Sequence, residues 1–244
     1  MKTAFTSLTA LLLVGIATAQ TVTNLTGVTQ IEMYTSSGAF ALKNGGLYYF
    51  GTNTFRNSEE SRLVDGYDIG KFDGGPAFIP PTFQSGLLDF SISYKGLAVG
   101  LKEGGRVVIW EDENMLANGE IYSNLPHPLP SDLESGVSDI ASGKENWFYY
   151  LKDGAVHYVG DPPNAAELAP ADQIPPEALQ NMAMVEADDV YYCGLTTSGG
   201  AVIWGLSLDP AEVPAHLQSG CTDIDAVIGY AAAVKEGAVY LFSN

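Results

Sequence analysis

One carboxylate-rich loop is the segment of the sequence in which a metal ion could bind. Asp65, Asp68 and Asp73 lie among glycines between positions 65 and 75. Oxygen ligands in a glycine-rich loop suit Ca²⁺, but the spacing differs from that of an EF-hand and Lys71 would oppose a cation. The pattern favours a solvated loop and no metal site, with a cation site as the alternative.

Known catalytic and cofactor-binding motifs are absent from the sequence. It contains no Gly-x-Ser-x-Gly elbow, phosphate-binding loop, dinucleotide fingerprint or zincin motif. Its three histidines, His127, His157 and His216, are scattered and are typical of strand or loop positions. We therefore predict no catalytic residue and no cofactor. A hydrolase with paired carboxylates at the mouth of the fold stays as the less favoured alternative.

Aromatic and charged residues mark five short connections between strand-like segments. These candidate binding residues are Tyr34, Tyr94, Lys95, Lys144, Glu145, Asn146, Trp147, Asp188, Asp189 and Tyr230. Tyrosine and tryptophan commonly anchor protein interfaces, so the connections predict a binding surface. The alternative is that Trp147 and the tyrosines pack between sheets, since aromatic side chains carry large apolar areas.

These connections belong to an internal repeat, which determines where they lie in the fold. Five units lie near residues 25–51, 84–110, 134–160, 179–205 and 218–244. Each has an early Gly or Asn anchor and a later glycine, which are separated by 19, 19, 18, 19 and 17 residues. Spacing between the units varies more, which places the insertions in the connections, where they are tolerated.

Each unit has the pattern of short antiparallel strands. Residues 137–140 alternate apolar and polar, residues 146–151 are aromatic and apolar, and Asp153–Gly154 is a hairpin turn pair. Prolines separate the units, as expected at strand edges. The sequence predicts an all-β fold, a β-propeller of about five recognisable repeats; an open β-solenoid or a propeller with additional degenerate blades are alternatives. Closure of a ring through residues 21–25 is an expectation.

The repeat resembles the regulator of chromosome condensation repeat family, and most closely its short-repeat branch, the propellers like β-lactamase-inhibitor protein II. The third unit carries the resemblance through Pro130, residues 134–137, Ile140, residues 151–156 and Gly160. Trp204–Gly205 adds the end of the motif in the fourth unit. The family usually has seven blades, whereas five are visible here. The resemblance implies a propeller in which loops on one face hold a protein.

The N-terminus is typical of a secretory leader. Lys2 precedes an apolar stretch from Leu8 to Ile16, and the small residues 17–19 fit a cleavage site. We predict a signal peptide at 1–19, a single repeat domain at 20–244, and a secreted, extracellular protein without membrane insertion. In that compartment Cys193 and Cys221 are expected to form a disulfide, and Asn24 is a glycosylation acceptor.

The net charge of the chain limits the classes of partner that it can bind. It is −18 for the whole chain and becomes −19 when Lys2 leaves with the leader. Such a surface repels nucleic acid and anionic membranes. We predict a secreted propeller that binds an extracellular protein, as an enzyme inhibitor or a recognition module, and not an enzyme. A carbohydrate-binding propeller with a glycan ligand is the alternative, and the sequence predicts no oligomeric state.

Overall fold

The structure is a computed structural model. It describes residues 27–35, 38–51, 79–93, 97–111, 125, 129–143, 147–160, 174–188, 191–205, 213–227 and 230–242. The leader, Asn24, the residues 21–25 expected to close a ring and the Asp65–Asp73 loop lie outside these ranges. Among the described residues we find no helix with the length and apolar character needed to cross a membrane.

Within the described residues, fifteen strands form five antiparallel sheets of three strands each, in chain order. The strands of repeats 1 to 3 are β1 (Val28–Thr35), β2 (Gly38–Lys43), β3 (Gly46–Gly51), β4 (Leu87–Ile92), β5 (Leu97–Lys102), β6 (Arg106–Glu111), β7 (Val137–Ser142), β8 (Phe148–Lys152) and β9 (Ala155–Val159). Those of repeats 4 and 5 are β10 (Met182–Asp188), β11 (Tyr191–Thr196), β12 (Ala201–Gly205), β13 (Cys221–Val227), β14 (Tyr230–Lys235) and β15 (Ala238–Phe242). The prediction of an all-β fold with five repeats is confirmed.

The chain divides into two compact units, which we describe separately: residues 1–89 and residues 90–244. The first unit contains repeat 1 and the beginning of β4. Its core lies on β2 and β3, where Phe40, Ala41, Leu42 and Leu47 are buried. The second unit contains the rest of repeat 2 and all of repeats 3 to 5.

Tight turns join the second and third strands of the repeats. Asn44, Asp153 and Glu236 each adopt a positive φ of 52° before a glycine that also has positive φ. Asparagine, aspartate and glycine tolerate this left-handed region better than other residues, which explains the predicted hairpin pairs. The turns fix the register between the two strands, for example Leu151 opposite Val156.

The first strand of several repeats begins with a register shift that a hydroxyl group supports. The shift follows Val28 in β1, Val137 in β7 and Cys221 in β13. The next residue in each strand is a Ser or Thr, whose hydroxyl donates to a carbonyl on the second strand: Thr29 to Leu42, Ser138 to Leu151 and Thr222 to Val234. The shift interrupts the pairing of the two strands locally and bends the first strand.

Apolar clusters fill the spaces between successive sheets of the second unit. One cluster joins repeats 2 and 3 around Phe148, another joins repeats 3 and 4 around Tyr149, and a third joins repeats 4 and 5 around Ile203. The sheets of repeats 3 and 4 therefore use both faces, because alternate residues of a strand point to opposite neighbours. Burial of these two-sided aromatic and aliphatic strands is the main source of stability.

Hydrogen bonds also join each repeat to the next. The backbone N–H of Gly136 donates to the Gly104 carbonyl, and that of Met182 donates to Gly154, at 2.9 and 2.8 Å. The same kind of bond joins repeat 5 to repeat 4, since the backbone N–H of Cys221 donates to the Gly199 carbonyl at 2.9 Å. The turn of one repeat thus holds the start of the following repeat.

Polar side chains add a second link between the first strands of neighbouring repeats. The Asp139 carboxylate accepts the N–H of Val185 at 2.9 Å, and the Ser91 hydroxyl accepts that of Ser142 at 2.8 Å. All four residues are buried. Buried backbone N–H groups need such acceptors, so these polar side chains stabilise the contact between neighbouring repeats.

Candidate functional site

The ends of the first strands and the beginnings of the second strands share one edge of the second unit. The starts of β7, β10 and β13 are held at the opposite edge by the turn-to-repeat hydrogen bonds, and these three strands pack in sequence. One edge of the second unit therefore contains the ends of three first strands, β7, β10 and β13, and the beginnings of the second strands that pair with them, β8, β11 and β14. We call this the loop edge.

The structure locates four of the ten predicted binding residues. Asp188 ends β10 and is half-buried, Tyr230 begins β14 and is 54% exposed, and Trp147 directly precedes β8. Tyr34 lies in β1 of the first unit, near the end of that strand. The remaining predicted residues lie outside the described ranges: Tyr94, Lys95, Lys144, Glu145, Asn146 and Asp189.

Trp147 packs inside the protein. It is only 3% exposed and belongs to the apolar cluster between repeats 3 and 4. Its ring lies edge-on to Tyr149 and Tyr192, with centroid distances of 5.5 and 5.4 Å. The sequence left open whether this tryptophan binds or packs, and its burial means that it offers no surface to a partner.

Carboxylates that the sequence analysis missed lie near the loop edge. Asp223 and Asp225 occupy alternate positions of β13, and the charges of Asp188 and Asp223 both act on the Asp225 carboxyl. Asp225 is exposed as a residue, and partial burial of its carboxyl by the surrounding protein raises the pKa of that group to about 6. A hydrogen bond to the Ala226 backbone lowers the pKa, and the two neighbouring carboxylates raise it. The alternation of Asp with Ile and Ala in residues 223–226 was the sequence pattern that could have indicated two carboxylates on one face of a strand. Negative charges of two repeats are thus held together.

The raised pKa of Asp225 predicts how the stability of the protein depends on pH. A carboxyl group whose pKa is higher in the folded than in the unfolded state stabilises the fold at low pH, and this contribution is lost as the pH rises from about 4 to about 6. Asp225→Asn should raise the midpoint of thermal unfolding at pH 7.5 by about 1–3 °C, a small effect because the residue retains contact with solvent. At pH 3.5 the variant should match the wild type. Glu177→Gln, an exposed carboxylate elsewhere, is the control, and an equal gain from it would contradict the prediction.

The two cysteines are free thiols in the structure, in contrast to the expected disulfide. Both are buried in the cluster between repeats 4 and 5, and the Cys221 thiol lies 3.4 Å from the Leu217 carbonyl as a hydrogen-bond donor. That contact directs the sulfur towards the backbone. Burial raises the pKa of both thiols, most strongly that of Cys193, beside which Glu186, Asp225 and Asp223 add negative charge. Neither residue is a reactive thiolate.

Potential metal ligands among the described residues are not clustered. No group of three or more His, Cys, Asp or Glu side chains within those ranges is placed to hold a metal ion. His157 stacks on Tyr150 at a centroid distance of 5.0 Å, and His216 packs edge-on to Tyr240 at 5.0 Å. These two histidines contact aromatic rings, so the loop edge is the best candidate for a functional surface.

Comparison with known proteins identifies the fold. No protein-family model matches the chain, and the search of curated proteins found no match either. Solved structures do resemble it. The CRINKLY WD40 ectodomain of the Arabidopsis thaliana receptor kinase ACR4 has a TM-score of 0.52 at 17% identity, over 85% of this chain and 62% of the ectodomain chain.

Two further solved structures show the same likeness. Prp20p of Saccharomyces cerevisiae, whose binding to Gsp1p and histones was studied with its structure, has a TM-score of 0.53 at 16% identity over 88% of this chain. Human WBSCR16 has a TM-score of 0.52 at 13% identity over 88% of this chain. The chain spans 58% and 61% of those two proteins. Five successive three-stranded antiparallel sheets together with this likeness show that the chain has a β-propeller fold.

Proposed function

We propose that the chain is a secreted, protein-binding propeller whose loop edge holds a partner with a basic surface. One observation carries this proposal: Asp188 of repeat 4 and Asp223 of repeat 5 lie close enough to the Asp225 carboxyl for their charges to add to the larger effect of burial on its pKa. A surface that brings negative charges of two repeats together favours a partner that carries positive charge.

The surroundings of the carboxylates fit a protein partner. Tyr230 is exposed and Tyr191 is half-buried beside Asp188. Tyrosines next to charges provide both apolar contact area and hydrogen bonds, as in many protein interfaces. The net charge of −18 would also attract a basic partner over longer distances and speed its association. Prp20p, which has the same fold, is itself a protein studied for its binding to other proteins.

A secreted enzyme is the partner class that we propose. The leader predicted at 1–19 and the resemblance to the propellers like β-lactamase-inhibitor protein II both favour an extracellular target, with inhibition as the consequence of binding. A glycan is the second class of ligand, because exposed tyrosines such as Tyr230 also stack on sugars. The two classes differ in their response to salt, since only binding to a basic protein relies on long-range charge.

A binding experiment with charge-matched variants tests the proposal. Residues 20–244 would be immobilised and exposed to fractionated extracellular proteins and to glycans. We expect a saturable basic protein whose affinity falls with salt, and falls roughly three- to tenfold for the double variant Asp188→Asn with Asp225→Asn. Glu103→Gln with Glu177→Gln removes the same charge at the opposite edge and should bind as the wild type does.

Several outcomes would contradict the proposal. Equal weakening by both double variants would show that only the total charge matters. Release by free sugar with no dependence on salt would identify the glycan alternative. Turnover of a substrate that stops when one carboxylate becomes an amide would identify a hydrolase. If the captured partner is an enzyme that remains fully active with excess propeller, inhibition is wrong even though binding is right.

A further inference from the structure

A lysine ends the second strand in four of the five described repeats, and repeat 4 is the exception. Lys43, Lys102, Lys152 and Lys235 end β2, β5, β8 and β14, whereas Thr196 ends β11. Thr196 has the same place in the register, because it pairs with the first residue of β10 as Lys152 pairs with that of β7 and Lys235 with that of β13. The group at this position therefore changes from an ammonium to a hydroxyl in repeat 4.

In repeats 3 and 5 this lysine binds the turn that precedes the first strand. The Lys152 ammonium donates to the Asp132 carbonyl at 2.9 Å. The Lys235 ammonium donates to the carbonyls of His216 and Ser219, the latter at 2.7 Å. Asp132 and His216 both lie two residues after the proline that begins the turn, although their side chains differ. The turn therefore holds an alkylammonium group through backbone carbonyls, which accept its N–H donors.

Repeat 4 has the same turn at residues 175–181, which we call the repeat 4 turn. The third residue after its first proline donates to the carbonyl of that proline at 2.9 Å, and the matching bond in repeat 3 is 3.1 Å long. Gln180, with φ of −160° and ψ of 153°, matches Ser135 of repeat 3, with −166° and 161°. The carbonyls of Glu177 and Gln180 therefore correspond to those that accept from lysine in the other repeats.

The repeat 4 turn has room for a lysine side chain. Its last residue, Asn181, has a positive φ, as Gly136 does at the same place in repeat 3. A Cβ added to Gly136 would lie 3.5 Å from the Cε of Lys152, an ordinary contact distance. A residue with a Cβ at this place can therefore lie beside a lysine stem. Thr196 is bound elsewhere, because its hydroxyl accepts the Gly200 N–H at 2.8 Å.

An exposed leucine lies beside these carbonyls only in repeat 4 of the second unit's complete repeats. Leu179 is 53% exposed. The same place, four residues after the proline, is occupied by Glu134 in repeat 3 and by Gln218 in repeat 5. Apolar surface next to acceptors of a charged group suits a residue of a protein, which brings apolar neighbours along with its charge.

The chain around repeat 4 contains no cation that could bind its turn from nearby in the sequence. Residues 153–234 include no lysine or arginine, whereas twelve of them are Asp or Glu. This distribution attracts positive charge from outside the chain. It also distinguishes repeat 4 from repeats 3 and 5, each of which supplies its own ammonium.

We propose that the repeat 4 turn binds a lysine side chain of a partner protein. The lysine ammonium donates to the backbone carbonyls of Glu177 and Gln180, and apolar neighbours of that lysine pack on Leu179. The repeat 4 turn lies at the edge opposite the loop edge. The inference is therefore independent of the proposed function.

Backbone amide NMR of residues 20–244 with a defined peptide tests the proposal. The probe is a five-residue peptide with one lysine between leucines, blocked at both ends. We expect saturable shifts at the amides of residues 177–181, which disappear when the lysine of the peptide is acetylated. Leu179→Ser should weaken the peptide roughly two- to fivefold and leave n-butylamine unaffected. Leu88→Ser alters another exposed leucine and should change neither, as should Asp188→Asn with Asp225→Asn at the loop edge.

A second pair of variants supplies the ammonium from the chain itself. Thr196→Lys and Thr196→Met both lose the threonine hydroxyl and have stems of similar length, so they differ in the ammonium. Thr196→Lys should melt roughly 2–5 °C above Thr196→Met and should no longer bind the peptide. Equal melting of the two variants, peptide binding that persists in Thr196→Lys, or shifts that survive acetylation would overturn the proposal. Equal affinity for n-butylamine and the peptide would overturn the assignment to a protein lysine in favour of free amines.

Discussion

Replacing Gly105 with alanine is expected to destabilise the second unit by roughly 3 kcal/mol or more. Gly105 has a φ of +77°, and an added Cβ would lie 2.5 Å from three backbone atoms of Gly136 and Val137. The positive φ costs about 1 kcal/mol for a residue with a side chain. The overlap with backbone atoms adds about 2 kcal/mol or more, because repeat 3 would have to move away from repeat 2.

The neighbouring glycine provides the control for this prediction. Gly104 has a similar φ of +78°, but a methyl group there meets nothing within 4 Å. Gly104→Ala should therefore cost only the conformational part, about 1 kcal/mol. Chemical denaturation of both variants gives the two free energies of unfolding. If the two variants lose the same stability, close approach of the repeats at Gly105 is not the reason for the glycine.

Trp147→Ala is expected to lose about 3–5 kcal/mol of folding stability, the usual cost of removing a large buried aromatic side chain. The ring fills the space between repeats 3 and 4, beside Tyr149, Tyr192 and Trp204. Truncation leaves a cavity and removes two edge-to-face ring contacts. Thermal unfolding should shift down by roughly 6–15 °C at constant pH.

The binding behaviour of the same variant separates packing from recognition. At a temperature where Trp147→Ala remains folded, its affinity for a partner of the loop edge should match that of the wild type. Trp147→Phe, which retains most of the ring, should recover much of the lost stability. A stable Trp147→Ala protein that no longer binds would show that the tryptophan contacts the partner.

Local patterns predicted the elements of this fold well. The turn pairs at Asn44–Gly45, Asp153–Gly154 and Glu236–Gly237 lie where the positive φ values occur. The alternating segment at 137–140 lies in β7, and its apolar residues, Val137 and Ile140, are buried. These features depend on neighbours within a few residues, so a sequence contains them directly.

The site was harder to predict because it depends on contacts between repeats. Trp147 and Tyr230 occupy corresponding positions before or at the second strand, yet one is buried and the other exposed. Trp147 is buried by contacts with repeat 4, such as that with Tyr192, and no local sequence pattern contains such a contact. Asp225 was missed for the same reason, since a carboxylate of another repeat, Asp188, contributes to its raised pKa.

The hydrogen bonds from turn to following repeat have a consequence for how the second unit opens. Repeats 3 and 4 take part in such bonds on both sides, because each begins on the turn of the repeat before it and its own turn accepts the start of the repeat after it. In a repeat array, stability is approximately the sum of the repeats' own stabilities and of their nearest-neighbour contacts. Loosening one of these turns therefore weakens the interface with the following repeat first, and it affects more distant repeats only through the repeats between them.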